Sequence, residues 1–348
     1  MTKLTKAICI LTLLTLVLGL TSSAATKKKA PAKKPASTNK ATQGTTQLKG
    51  EYADFGSTYT LDKSSPLNIT LKSAEYKVEP VKVGQATYIP TADEKLLVLH
   101  MTYHNPQKAE LFVRWDFFGF TVVDPQDENH EGVAALGMEK DKSDCSMDLK
   151  PAQKIDVYGV MSVPANGEMP KLIIKGSDDT VLRYNLKGKV KGIAEPYVNK
   201  SDPTGATPLA RIDAKSGTYY SLGCFDMKLD GIEYSSSKKI GEHEIDEDST
   251  DRFLVVTMEV KNVTSEQQFF RFDTFDTSII DTDGVEVANS TEDVFQKSKD
   301  KSVSADIQPG QEMTVRSVYR IAADTNLQGF SIKLNNGRTF VFDISSTN

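Results

Sequence analysis

Histidine, tryptophan and cysteine are scarce in this sequence. Its 348 residues include four His, one Trp and three Cys. The Gly-x-Ser-x-Gly pattern of hydrolases, the phosphate-binding loop and any Cys–His pairing are absent. His100 and His104 lie four residues apart on one predicted strand, which separates them by roughly 13 Å, too far to share a metal ion. We therefore expect a protein that is not an enzyme and that holds no cofactor.

Long apolar runs are also lacking, with one exception near the start. Residues 7–20 form an apolar stretch preceded by Lys3 and Lys6 and followed by small residues at 22–25. This pattern predicts a secretory signal peptide over residues 1–25, too short for the ~20 apolar residues of a membrane span. No cysteine follows it for lipid attachment. We expect a secreted or envelope-associated protein with no transmembrane segment after cleavage.

Acidic and aromatic residues are missing from the next segment. Residues 26–49 contain seven Lys, and this composition predicts a disordered basic tail over residues 26–50. The formal net charge of the whole chain is −5, so residues 50–348 alone carry −14, as counted from the printed sequence. An acidic body argues against nucleic-acid binding. The tail is interpreted either as a spacer or as an adhesive for an anionic envelope polymer.

The chain does contain a long internal match. Residues 95–127 align without a gap to residues 252–284, and nine of the 33 pairs are identical. Further matches join 67–76 to 225–234, 148–164 to 306–322 and 181–186 to 339–344. Collinear windows of this kind indicate an internal duplication. Two copies are too few for a solenoid, so each copy is predicted to be a domain.

Both copies have the sequence pattern of β-strands. Apolar residues alternate at Leu97, Leu99, Met101 and Tyr103, and the partner stretch repeats the alternation. Turn residues such as the Asn-Asn-Gly-Arg at 335–338 separate the short runs. The sequence therefore predicts an all-β protein with two immunoglobulin-like (Ig-like) β-sandwiches. Their predicted bounds are 51–190 and 217–348, joined by a linker over 191–216.

Three motifs carry a family resemblance. Each copy has a strand that ends at an Asn (Asn105, Asn262), then a Phe-containing strand, then a turn at 149–153 or 307–311. This pattern resembles the secreted bacterial immunoglobulin-like domains related to mycobacterial immunoprotective extracellular protein, over about 65–187 and 223–345. The resemblance implies export and a non-catalytic role. Ala152 stands where the second copy has Gly310, so we expect the first turn to avoid a positive φ.

The motif FVRWDFF at 112–118 recurs as FFRFDTF at 269–275. If each motif is a strand, one face carries a repeated Phe-Arg-Asp-Phe set, and Val113 with Trp115, or Phe270 with Phe272, faces the core. The repeated set is interpreted either as an Arg–Asp pair that locks the sheet or as a recognition surface. The candidate binding face comprises Phe112, Arg114, Asp116, Phe118, Phe269, Arg271, Asp273 and Phe275.

Two further candidate sites follow from composition. The acidic loop at 242–251 is either solvated or a cation site, although it lacks the glycine and the spacing of a dedicated calcium loop. Its carboxylates are Glu242, Glu244, Asp246, Glu247, Asp248 and Asp251. Cys145 and Cys224 remain after signal cleavage, and export favours either one disulfide between them or two separate thiols.

Together these features predict a secreted, surface-associated binding protein built from duplicated Ig-like domains. The expected partner is a cell-surface or secreted protein or an anionic envelope polymer. The alternative is a secreted inhibitor, or a carrier of a small ligand or cation, that uses the loops at a sandwich tip.

Overall fold

The computed structural model describes residues 52–288, 293–297 and 301–346. The predicted signal peptide and basic tail lie outside the described residues. Every regular element in the described ranges is a β-strand, which confirms the predicted all-β class. Within the same ranges, no helix is long and apolar enough to cross a membrane.

The described residues up to Asn185 form thirteen strands. They are β1 (Thr58–Leu61), β2 (Leu67–Lys77), β3 (Val81–Val83), β4 (Ala86–Tyr88), β5 (Glu94–His104), β6 (Leu111–Val113), β7 (Gly119–Val123), β8 (Asn129–Glu131), β9 (Ala135–Met138), β10 (Met147–Leu149), β11 (Lys154–Pro164), β12 (Lys171–Lys175) and β13 (Val181–Asn185).

The described residues from Arg211 onward form fourteen more. They are β14 (Arg211–Ala214), β15 (Tyr219–Leu222), β16 (Phe225–Tyr234), β17 (Lys239–Ile240), β18 (His243–Glu244), β19 (Arg252–Asn262), β20 (Gln268–Arg271), β21 (Asp276–Asp281), β22 (Glu286–Ala288), β23 (Asp293–Gln296), β24 (Ser304–Ile307), β25 (Glu312–Ile321), β26 (Leu327–Lys333) and β27 (Thr339–Asp343).

The same five-strand sheet occurs in both halves of the chain. Its strand order is β1-β2-β5-β11-β9 in the N-terminal half and β15-β16-β19-β25-β23 in the C-terminal half. The second strand of each sheet has a register shift at an equivalent place, between Leu71 and Ser73 or between Leu229 and Gly231. The apolar residues that alternate in the sequence of β5 and β19 point into a shared core.

A second layer faces each of these sheets. It has the order β13-β12-β7-β8 in the N-terminal half and β14-β27-β26-β21-β22 in the C-terminal half. Leu172 and Leu182 from this layer join Leu99 from the first sheet in one buried cluster. Sheets that bury their apolar faces against each other in this way form a β-sandwich.

The segment between the halves, which the sequence assigns to a linker over 191–216, contains hydrogen-bonded structure. Strand β14 lies inside that range and pairs in parallel with β27. Residues 193–209 fold back on themselves, since Ile193 N donates to Gly205 O (2.8 Å) and Leu209 N donates to Tyr197 O (2.7 Å). We call residues 193–209 the connecting loop. Apolar side chains hold it, because Tyr197 and Ala206 are buried.

One buried cluster runs through both halves. Tyr197 of the connecting loop meets Phe340 of β27 edge-on, with ring centroids 6.3 Å apart. Phe340 in turn packs against Tyr220 of β15 at 5.2 Å. Such aromatic pairs add about 0.5–1.5 kcal/mol each beyond the area that they bury. The connecting loop is therefore part of the core.

A short hairpin covers the outer face of each five-strand sheet. In the N-terminal half, Val81 and Val83 of the β3–β4 hairpin bury Val98 and Tyr158. In the C-terminal half, Ile240 of β17 and the nearby Ile245 cover a cluster with Phe253, Phe295 and Val318. We call the acidic loop at 242–251 the candidate cation loop. It starts in the turn of the β17–β18 hairpin and includes β18, a role in covering the sheet that its acidic composition did not indicate.

Asn105 and Asn262 make the same hydrogen bonds at the ends of β5 and β19. Asn105 Nδ2 donates to Ala109 O and Leu149 O, both at 2.8 Å, and its Oδ1 accepts from Gln107 N at 2.9 Å. Asn262 Nδ2 donates to Glu266 O (2.7 Å) and Ile307 O (2.8 Å). Both side chains are fully buried, so the predicted Asn at a turn ties two loops to each core strand.

The prediction that Ala152 avoids a positive φ is wrong. Ala152 has φ 62° and Gly310 has φ 74°. The reason is the hydrogen bonding of the turn: Ala152 N donates to Asn105 O (3.0 Å), as Gly310 N donates to Asn262 O (2.9 Å). The turn therefore requires a left-handed backbone whether or not a glycine is present. At Ala152 this conformation is unfavourable, because the Cβ comes close to the following carbonyl oxygen.

We expect the Ala152→Gly variant to gain about 0.5–1 kcal/mol in free energy of unfolding. Relief of a left-handed alanine, worth roughly 1–2 kcal/mol, exceeds the added entropy of glycine in the unfolded chain. The reciprocal Gly310→Ala variant should lose about 1 kcal/mol, and a Cβ there meets no atom within 4 Å, so its effect is conformational alone. Urea denaturation measures both, and shifts of the same sign in the two variants would contradict this account.

Candidate functional site

The FVRWDFF and FFRFDTF motifs each contain a turn. Strand β6 ends at Val113, and Phe117 N then donates to Arg114 O (3.1 Å). In the second motif β20 ends at Arg271, and Thr274 N donates to Arg271 O (3.0 Å). Because the chain reverses, the period of two that places alternate side chains on one face does not extend beyond the strand. We call 112–117 and 269–274 the aromatic turns.

The turns change which aromatic side chains are exposed. Phe118 and Phe275 are buried, at 4% and 9% exposed, so they do not belong to a surface face as predicted. Trp115 and Phe272, predicted to face the core, are 55% and 54% exposed. Phe112 (51%) is exposed as predicted.

The C-terminal half follows the same pattern as the N-terminal half. Phe269 is 56% exposed, and Phe270, like Val113, is buried as predicted. Each aromatic turn therefore presents two exposed aromatic rings, Phe112 with Trp115 and Phe269 with Phe272.

The Arg–Asp pairs exist in both halves, and they lie within the turns. Arg114 Nε is 2.5 Å from Asp116 Oδ1, and Arg271 Nε pairs with Asp273 Oδ1. Both arginine side chains are 56% exposed. Exposed ion pairs contribute about 0–1 kcal/mol, so these pairs shape the turns more than they stabilise the sheets.

A cavity of about 250 Å³ lies where the two halves meet. The N-terminal half contributes Val78, Pro80, Ile89, Pro90 and Thr91, and the connecting loop contributes Tyr197. The C-terminal half contributes the β15–β16 turn and the β26–β27 turn: Ser221, Leu222, Gly223, Cys224, Leu334, Asn335, Asn336, Gly337 and Arg338. We call it the junction cavity.

Arg338 is the charged residue of the junction cavity, and it bridges the halves. Its Nη2 donates to Glu94 O at 2.6 Å. Beside it, Ala92 N donates to Asn336 O at 2.8 Å. Burial lowers the pKa of Arg338 to about 10, and Tyr197 and Asp93 act in the opposite direction. Its Nε has no hydrogen-bond partner among the described residues, so the guanidinium has unused donors.

Lys95 is a second buried cation, and the connecting loop covers it. Its Nζ donates to Ala165 O (2.9 Å), to Ala206 O (2.6 Å) and to Gly167 O, and it lies 4.4 Å from the Tyr76 ring centroid. Burial lowers the pKa of Lys95 to about 8, and the nearby Asp202 and Glu168 oppose this shift. Lys95 therefore holds the connecting loop against the N-terminal half.

The same cation–ring contact recurs in the C-terminal half. Arg252 aligns with Lys95, and its Cζ lies 3.3 Å from the Tyr234 ring centroid. Tyr76 and Tyr234 end the matched windows 67–76 and 225–234. The alignment of the two copies therefore matches both the cation and the tyrosine of each contact, so the sequence alone could have indicated these contacts. The alignment does not reveal that Lys95 is fully buried while Arg252 is only partly so.

The carboxylates of the candidate cation loop bind basic side chains or face solvent. Asp251 Oδ2 is 2.7 Å from Arg320 Nε, and Glu244 pairs with Lys239 at 3.2 Å. Lys238 Nζ closes the loop by donating to Ser249 O and Asp251 O. In the part of the chain that the structure describes, no three His, Cys, Asp or Glu side chains converge as metal ligands would.

Cys145 and Cys224 are both free thiols in the structure. Cys145 is buried in the core of the N-terminal half, and burial raises its pKa to about 11. Cys224 lies in the β15–β16 turn of the C-terminal half and lines the junction cavity. Of the two alternatives that the sequence left open, the structure has the two separate thiols.

Comparison with known proteins adds a family match to the C-terminal half. Residues 221–338 match the family model described as a domain of unknown function, DUF4352. They lie within the C-terminal half, from β15 to the turn before β27. No curated protein matches this chain. The match carries no activity, because its description assigns none.

Solved structures of bacterial proteins are similar to parts of the chain. An uncharacterized β-sandwich protein from Clostridium difficile 630 has 13% identity and a TM-score of 0.27, over 38% of this chain and 95% of that one. The yjhA protein from Bacillus subtilis has 13% identity and a TM-score of 0.28, over 37% and 97%. A conserved hypothetical protein from Bacillus anthracis has 16% identity and a TM-score of 0.25, over 36% and 92%.

Proposed function

We propose that this protein is a secreted, non-catalytic binding protein made of two tandem Ig-like sandwiches that arose by duplication. The matched strand orders support the duplication, as do the equivalent roles of Asn105 and Asn262 and the repeated cation–ring contacts. The relation to secreted bacterial domains of the mycobacterial immunoprotective type is part of the same proposal.

One observation carries the binding function: the exposed aromatic turns. Each turn presents two large rings that are more than half exposed. An Arg lies between the two rings in the sequence and pairs with the Asp that follows the second ring. Exposed aromatic side chains with arginine are typical anchors of protein interfaces. Their recurrence at equivalent positions gives the protein two similar anchors, which favours a partner with repeated or extended surface.

We expect a variant with serine at all four exposed aromatic positions (Phe112, Trp115, Phe269, Phe272) to lose partner binding without loss of fold. Serine removes the apolar contact area, and half-exposed rings contribute little to the core. Cross-linking and pull-down on intact envelopes, with the chain lacking residues 1–25, measures retention. A matched control replaces Tyr52 and Val285, which are exposed outside the turns. Equal retention of the four-site variant and the control would contradict the assignment.

The basic tail is a separate element of the proposed localisation. Its seven Lys are each worth about 1 kcal/mol near an anionic surface, and salt screens them. We expect the chain lacking residues 1–25 to bind anionic vesicles at low salt and to be released as salt rises. Deletion of residues 26–49 should abolish that binding and leave the unfolding transition unchanged. Equal binding of both chains across a salt series would show that the tail is a spacer.

A further inference from the structure

We propose that the junction cavity binds a small amphipathic carboxylic acid. In this assignment the carboxylate accepts hydrogen bonds from the guanidinium of Arg338. The apolar part of the ligand contacts Pro80, Ile89 and Leu334, which belong to both halves of the chain. The site is independent of the aromatic turns and of the proposed partner binding.

The charge of the cavity selects an anion. Arg338 is the charged residue among those that line it, and its one hydrogen bond goes to a main-chain carbonyl, Glu94 O. Asp93 lies near enough to favour the charged guanidinium electrostatically, and its Oδ1 accepts from Thr91 Oγ1 at 2.5 Å. Within the described residues, no ion pair involves Arg338. A buried cation that lacks an anionic partner is costly, and a bound carboxylate would remove that cost.

The shape of the cavity selects a small apolar body. Its volume of about 250 Å³ equals roughly eight water molecules of the liquid, near the lower end of ligand pockets. Ile89 is 39% exposed and also lines the cavity, so it marks an open rim. Gly223 has φ +65°, and a Cβ there would lie 2.5 Å from Leu334 Cδ2. A larger residue at position 223 would therefore displace the Leu334 side chain, which forms part of the cavity wall.

Cys224 supplies a reporter, because this residue lines the cavity and is only partly buried, whereas Cys145 is buried in the core. The test follows alkylation of Cys224 by iodoacetamide in the chain lacking residues 1–25, read from the mass of the labelled peptide. Octanoate and its uncharged analogue octanamide are the probes. We expect saturable protection of Cys224 by octanoate, with octanamide weaker by about tenfold because it lacks the charge-assisted hydrogen bonds.

Two variants separate ligand binding from damage to the junction. Arg338→Met should remove the preference for octanoate over octanamide, although loss of the Glu94 contact also affects the junction. Ile89→Glu changes an exposed rim residue, keeps Arg338, and adds a carboxylate to the lining of the cavity. It should lose octanoate protection with an unchanged unfolding transition. Lys108→Met removes an exposed cation that does not line the cavity and should behave as wild type.

The proposal is overturned if octanoate gives no saturable protection. It is also overturned if octanamide protects equally, which would show a purely apolar cavity. Full octanoate protection in a folded Ile89→Glu variant would exclude the junction cavity as the site.

Discussion

Asn105→Ala should lower the free energy of unfolding by about 2–4 kcal/mol, and Asn262→Ala should do the same. Each side chain is fully buried and donates two hydrogen bonds to main-chain carbonyls, at 2.7–2.8 Å. Each also accepts one from a main-chain amide two residues later, at 2.9 Å. Removing the amide leaves these main-chain groups without partners, and each unsatisfied buried group costs about 1–3 kcal/mol.

Chemical denaturation followed by circular dichroism measures this effect. Asn129→Ala is the matched control, because Asn129 is an exposed residue of the edge strand β8, and it should change stability by less than about 0.5 kcal/mol. Comparison of the two variants also tests whether Asn105 and Asn262 have equivalent roles in the two copies. If one variant is strongly destabilised and the other behaves like the control, Asn105 and Asn262 are not equivalent.

Wild-type protein should gain stability relative to Lys95→Met as pH rises from about 8 to about 10.5. The pKa of Lys95 falls from an ordinary value of 10.5 to about 8 in the folded chain, because burial penalises the charged ammonium. Between those values the unfolded chain binds more protons than the folded chain, so the free energy of unfolding increases with pH. Below pH 8 both states are protonated, and the full penalty applies.

The expected gain is about 3.5 kcal/mol at most, since one unit of pKa shift corresponds to about 1.4 kcal/mol. Urea denaturation of wild type and Lys95→Met at a series of pH values measures the difference between the two. Comparison with Lys108→Met, which removes an exposed lysine, cancels the general effect of alkaline pH. Parallel stability curves for wild type and Lys95→Met would mean that the ammonium is not desolvated.

The same variant tests the role of the connecting loop. Lys95 Nζ reaches Ala206 O of the loop as well as Ala165 O of the N-terminal half. Methionine fills a similar volume but leaves both carbonyls unsatisfied. We therefore expect faster proteolysis within residues 193–209 in Lys95→Met than in wild type, because that segment loses its polar attachment.

Much of the β-structure followed from the sequence alone. The apolar alternation of Leu97, Leu99 and Met101 predicts a half-buried strand, and β5 has these side chains in the core. The Asn-Asn-Gly-Arg run predicts the turn between β26 and β27, where Gly337 N donates to Leu334 O at 2.7 Å. These features are local, because strand period and turn chemistry depend on residues that are neighbours in the chain.

The aromatic turns show where local pattern reasoning stops. Phe112, Arg114, Asp116 and Phe118 alternate as a strand would, yet the chain turns after Val113. The reversal pairs β6 with β10 and β7 with β12, and these partners lie 34 or more residues away in the sequence. Alternation in one segment does not report such pairings. As a result Trp115 is exposed and Phe118 is buried.

The sequence by itself determined the all-β class, the repeated strand pattern, the Asn at the end of two matched strands and the alignment of Lys95 with Arg252. Only the tertiary structure decided that Ala152 takes a positive φ, that the connecting loop buries Lys95, and that Arg338 lines a cavity shared by both halves. The physical reason is the range of the interactions. Strand period and turn propensity depend on residues that are close in the sequence. Burial, desolvation and the hydrogen bonding of the Arg338 guanidinium depend on segments that are far apart in the sequence, such as those that contain Glu94 and Arg338.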